Sequence, residues 1–104
     1  PMLPVTGFAY GLMKVNFFAT LRRIAGQKTV EFEVAEGATA QQVLDAILER
    51  FPAMREELLD EDGQLFPHVH LFINGRDVPY MPDQMATIIK NGDKIDLFPA
   101  VAGG

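Results

Sequence analysis

Apolar and polar residues begin to alternate cleanly at Met13. Across residues 14–20, Val15, Phe17 and Ala19 fall on one side and Lys14, Asn16, Phe18 and Thr20 on the other, the two-residue period of a strand. After a turn through Gly26 the pattern returns from Thr29 to Val34, with Val30, Phe32 and Val34 inward and Thr29, Glu31 and Glu33 outward. The short separation predicts a β-hairpin. The period then changes. Gly37-Ala38-Thr39 announces a helix, with Thr39 as N-cap and Gln42, three residues on, completing a capping box. Val43, Leu44, Ile47, Leu48 and Phe51 recur at three- and four-residue steps, an apolar stripe that needs a core to face. Pro52 ends the run, because it lacks an amide donor and biases Phe51 away from helix.

A shorter helical piece is expected over residues 53–59, and Asp60-Glu61-Asp62-Gly63 reads as a solvated loop. Residues 69–73 form a third strand, ended by Asn74-Gly75, a pair suited to a tight hairpin turn. Arg76-Asp77-Val78 is a short return strand, Asn91-Gly92-Asp93 another turn, and residues 94–98 the last strand. One hairpin, one long amphipathic helix and further strands predict an α+β domain with the helix on one face of the sheet. Residues 1–12 contain two Pro, two Gly, no charge and no clear period, so they are set aside as an N-terminal extension or an appended remnant. The domain is expected over 13–99, followed by a tail at 100–104.

Composition narrows the chemistry more than the architecture. A chain of 104 residues, 48% hydrophobic and 22% charged, makes one ordinary globular domain. A net charge of −5 argues against a phosphate-backbone binder and suits docking on a basic partner surface. With no Cys there is no disulfide, zinc-thiolate site or thiol nucleophile. There is no Ser, no phosphate-cradling Gly-rich loop and no His-Glu zinc helix. As an isolated catalyst the chain has few tools, and it reads as something acted upon. No signal-peptide pattern or transmembrane run is present, so neither a membrane nor a nucleic-acid partner is expected, and a cytoplasmic protein is.

Lesser candidates reduce to surface chemistry. His68 and His70 could pair on a metal, but two His without Cys give too few ligands, and no metal site is expected. The acidic run at Asp60 lacks the spacing of a calcium loop. Arg22-Arg23 could steer a partner or hold a carboxylate, though adjacent basic residues are usually surface charge.

Two features survive this reduction. Strand alternation leaves Phe18, Phe72 and Phe98 on the nominally polar faces of strands expected to be neighbours, and a contiguous aromatic patch marks an interaction surface. The sequence then closes on Phe98-Pro99-Ala100-Val101-Ala102-Gly103-Gly104. Gly has no Cβ, so Gly103 and Gly104 can thread a narrow channel and present the main-chain carboxylate as a reactive group. Pro99 helps the chain leave the sheet, and Val101 could anchor the tail in a partner's pocket. Five extended residues beyond Pro99 reach roughly 17 Å.

With that ending, the strand order and Val15-Asn16-Phe17-Phe18-Ala19 in view, the chain resembles the MoaD/ThiS ubiquitin-like sulfur carriers, and within them the small subunits of molybdopterin synthase. The resemblance spans residues 13–104. It implies a β-grasp fold, with the first and last strands parallel at the sheet centre. It also implies a mechanism in which a ubiquitin-activating-type adenylating enzyme, using ATP and magnesium that this chain does not itself bind, activates Gly104. A sulfur donor then gives a thiocarboxylate, and the large subunit of molybdopterin synthase accepts the sulfur. Gly104 would be the carrier, Gly103 the threading residue, and Phe18, Phe72, Phe98, Pro99 and Val101 the partner contacts. Sulfur delivery to thiamin or tRNA, conjugation to lysines as a protein modifier, and a noncovalent β-grasp adaptor stay open beside it.

Overall fold

The computed structural model describes residues 10–99. Strand β1 (Tyr10–Phe17) leads into helix α1 (Thr20–Ala25) and strand β2 (Thr29–Ala35). Helix α2 (Ala40–Arg50) and the short α3 (Arg55–Leu58) follow, then β3 (His70–Ile73), β4 (Arg76–Asp77) and β5 (Ile95–Phe98). The strands form one five-stranded mixed sheet in the order β2-β1-β5-β3-β4. The first and last strands run parallel at its centre, pairing Val15 with Ile95 and Phe17 with Leu97, and every other pair is antiparallel. This is the ubiquitin-like β-grasp arrangement.

The inward positions read from alternation do bury. Val15, Phe17, Val30, Phe32, Leu71, Ile73, Ile95 and Leu97 meet Val43, Leu44 and Ile47 of α2 in one core. Phe17, Phe32 and Phe51 pack edge to face with ring centroids 5.9–6.4 Å apart, the favoured geometry for aromatic rings. The capping box forms: Thr39 Oγ1 accepts from the Gln42 amide at 3.2 Å, and Gln42 Oε1 accepts from the Thr39 amide at 2.9 Å. Asn74 (φ 53°) and Gly75 (φ 84°) both take positive φ, as the β3–β4 turn requires. The Arg50 guanidinium lies 5.6 Å from the Phe32 ring and 5.5 Å from the Phe51 ring, and donates to the Glu31 carbonyl at 3.2 Å.

Several expectations need correction. β1 starts at Tyr10 rather than Met13, since Tyr10, Gly11 and Leu12 pair with Ala35, Val34 and Glu33. Leu12 is exposed on the outward side, an apolar residue where alternation calls for a polar one, and this hid the strand's start. The strand also ends at Phe17 instead of running to Thr20. Ala19 takes φ 55° and ψ −129°, which breaks the extended chain, and its side chain is exposed instead of inward.

Residues expected to form a turn form α1, which buries Leu21 completely and part of Ile24 and Ala25. Gly26 closes α1 at φ 79°, donating its amide to the Arg22 carbonyl. Thr20 Oγ1 ties α1 to α3 by donating to Glu57 at 2.6 Å. The third and last strands start one residue later than expected, at His70 and Ile95, and Val78 opens a 3-10 turn instead of continuing the return strand.

Candidate docking face and chain exit

The face of the sheet away from α2 carries the outward residues, and cross-strand register decides which of them meet. Phe18 lies just past the end of β1, where its amide donates to the Leu97 carbonyl at 3.3 Å. That bond sets it beside Phe98, and the two rings stack at 4.1 Å with planes 8° apart. Phe98 also meets Phe72 edge-on at 5.7 Å, and Phe72 stacks with His70 at 5.4 Å. Lys28 places its ammonium 5.5 Å above Phe18. The outcome is a continuous ladder, Phe18–Phe98–Phe72–His70. Its Phe rings are each half-buried by one another and otherwise open.

Polar bonds pin the ladder on both sides. Thr29 Oγ1 donates to Asn16 Oδ1 at 2.6 Å, and Asn16 Nδ2 donates to Asp96 Oδ1 at 2.8 Å. This row crosses β2, β1 and β5 and fixes the parallel register that puts Phe98 beside Phe18. Lys94 Nζ lies 3.7 Å from Asp96 Oδ2. At the far end His70 Nδ1 is 2.8 Å from Asp77 Oδ2. A carboxylate can only accept, so Nδ1 donates and the ring is held by its stack and this bond together.

Phe18, Phe72 and Phe98 are thus brought together. Pro99, directly after them, is buried, so it belongs to the body of the domain and not to its open surface. Val101, Gly103 and Gly104 lie outside the described residues. His68 is exposed in the turn before β3, while His70 is engaged with Asp77. Among the described residues no three His, Cys, Asp or Glu side chains gather where they could hold a metal. Asp60 Oδ1 accepts from the amides of Asp62 and Gln64, so the acidic run shapes its own loop. Arg22 and Arg23 are exposed on the last turn of α1. Among the described residues no helix is long and apolar enough to cross a membrane.

Sequence reasoning put His70 outward beside Phe72 but did not join it to the ladder, and it missed Lys28 and the hydrogen-bonded Thr29–Asn16–Asp96 row. Alternation put Thr29, Asn16 and Asp96 outward but could not give the register between strands distant in sequence. Among the described residues the His70–Asp77 pair is the one His–carboxylate contact on this face, and neither Cys nor Ser stands beside it as a nucleophile. The face offers an apolar contact surface with fixed polar ends, one residue before the chain leaves β5.

Comparison with known proteins agrees with this geometry. A family model described as the ThiS family matches residues 15–104. Small archaeal modifier protein 3 of Haloferax volcanii is 39% identical over 92 residues, covering 88% of this chain and 98% of that protein. The sulfur carrier protein CysO of Mycobacterium tuberculosis is 35% identical over 81 residues, covering 76% of this chain and 83% of its own. The crystal structure of SAMP1 from Haloferax volcanii superposes with a TM-score of 0.78 at 33% identity, over 90% of this chain and all of that one. The chain therefore belongs to the ThiS family, as a ubiquitin-like protein of the sulfur-carrier and modifier type.

Proposed function

We propose that this protein carries sulfur as a thiocarboxylate on Gly104. The observation that carries the reading is that the family match runs through to residue 104, so Gly103-Gly104 falls inside the shared region. A carboxylate is ionised at neutral pH and is a poor electrophile. In the proposed sequence, a carboxylate oxygen of Gly104 attacks the α-phosphorus of ATP on an adenylating partner, and pyrophosphate leaves. A sulfide-level donor then attacks the acyl carbon, the bond to AMP breaks, and the thiocarboxylate remains. Gly103 lets the tail pass a narrow channel, Val101 seats it, and the Phe18–Phe98–Phe72 face docks the partner. ATP and magnesium are held by that partner. The setting proposed is the cytoplasm, and the acceptor proposed is a precursor on the large subunit of molybdopterin synthase, where the sulfur becomes part of a new dithiolene, the acyl C–S bond is broken by water, and the Gly104 carboxylate is restored.

The test is an intact-mass spectrum after incubation with ATP, a sulfur donor and the host's adenylating enzyme. Replacement of one oxygen by sulfur, mapped to Gly104 and dependent on ATP, is expected. Gly104→Ala is expected to impair loading with the fold intact. No mass change with a demonstrably active enzyme would overturn the carrier reading.

A second reading is favoured by the name of the 39% identical Haloferax volcanii relative, a modifier protein. The same acyl adenylate could instead acylate lysine side chains. Conjugates of higher mass in host lysate, lost in Gly104→Ala, distinguish that outcome from sulfur transfer alone.

A further inference from the structure

Ala19 holds a backbone geometry that glycine adopts freely and other residues do not. The turn Phe18-Ala19-Thr20-Leu21 closes through the Leu21 amide donating to the Phe18 carbonyl at 3.1 Å. Ala19, at φ 55° and ψ −129°, sits at its first central position in the manner of a type II′ turn. A Cβ there crowds the backbone, and glycine is the ordinary occupant. Yet the Ala19 side chain is exposed, so its methyl adds nothing to the core of the isolated domain. Strain of this kind concentrates where a surface is used.

The location says by what. Ala19 adjoins Phe18, whose ring stacks on Phe98, and Phe98 precedes Pro99 and the five residues that end in Gly104. A partner acting on the Gly104 carboxylate must lie within about 17 Å of this end of the sheet, the extended reach of five residues. We propose that Ala19 is a contact residue for the adenylating partner, its methyl extending the apolar surface of Phe18 and Phe98 at the point where the tail departs. This rests on the docking face proposed above. The turn aims Phe18, and the methyl touches an apolar group of the partner.

The experiment is calorimetric titration of the full chain with the host's adenylating enzyme, for the wild type, Ala19→Gly and Phe98→Ala, with thermal unfolding of each. Ala19→Gly is expected to weaken binding about fourfold, the factor for one buried methyl, with Tm equal to or above that of the wild type because the turn strain is relieved. Unchanged affinity for Ala19→Gly beside weakened binding for Phe98→Ala overturns the assignment of Ala19 and leaves the docking face standing. Unchanged affinity for both variants overturns Ala19 and the docking face together. A lowered Tm for Ala19→Gly also overturns it, because the methyl would then be serving the fold.

Discussion

Phe17 and Phe98 lie on neighbouring central strands but face opposite ways, so equivalent truncations report on different things. Phe17 is fully buried against Phe32 and Phe51. Phe17→Ala is expected to cost about 3–5 kcal/mol of stability, through lost transfer energy and the cavity left behind. Phe98 is half-exposed and leans on Phe18 and Phe72. Phe98→Ala is expected to cost less, about 1–3 kcal/mol from its two ring pairs, while sulfur loading by the adenylating enzyme falls well below that of Phe17→Ala assayed at a temperature where both are folded. Urea unfolding and loading rate measured on both variants check this. A larger stability loss at Phe98 than at Phe17 would reverse the assignment of faces.

At the scale of elements, what the sequence makes legible is whatever depends on local period. The β2 alternation, the Thr39–Gln42 cap and the Asn74-Gly75 turn each involve residues within a few positions of one another, and each is found as read. Helix α1 was hidden because six residues are too few for a helical period to stand out. Leu21, Ile24 and Ala25 at three- and four-residue steps, followed by Gly26, were its only signals. Its stability comes from tertiary packing, as expected for so short a helix. Leu21→Ala is therefore expected to cost about 2–5 kcal/mol. It should also speed amide exchange in α1 beyond the rest of the molecule, because the single fully buried anchor of that helix is gone. A uniform change in exchange across α1 and α2 would contradict this. The candidate face was legible in part for the same reason. Alternation put Phe18, Phe72 and Phe98 outward, but the register that stacks them, and the Asn16–Asp96 bond spanning 80 residues of sequence, exist only in the folded sheet.

Across the whole molecule, β2 is a seven-residue strand at the border of the sheet, while the opposite border is the two-residue β4. The Phe17 amide bonds the Lys28 carbonyl, so by antiparallel alternation Val30 and Phe32 spend their main-chain groups on β1 while Thr29, Glu31 and Glu33 turn theirs outward. A second molecule could pair along that line, as unpaired borders invite. Arg50 stands in the way, because its guanidinium already occupies the Glu31 carbonyl and is braced across Phe32 and Phe51. An incoming strand would have to dislodge that brace at the middle of the available run and then lie against the like charges of Glu31 and Glu33. Arg50 thereby helps keep one copy from adding to the next and leaves the proposed docking face open. Arg50→Ala should show concentration-dependent association by sedimentation equilibrium where the wild type stays monomeric; equal behaviour of the two would mean the glutamates alone guard the border.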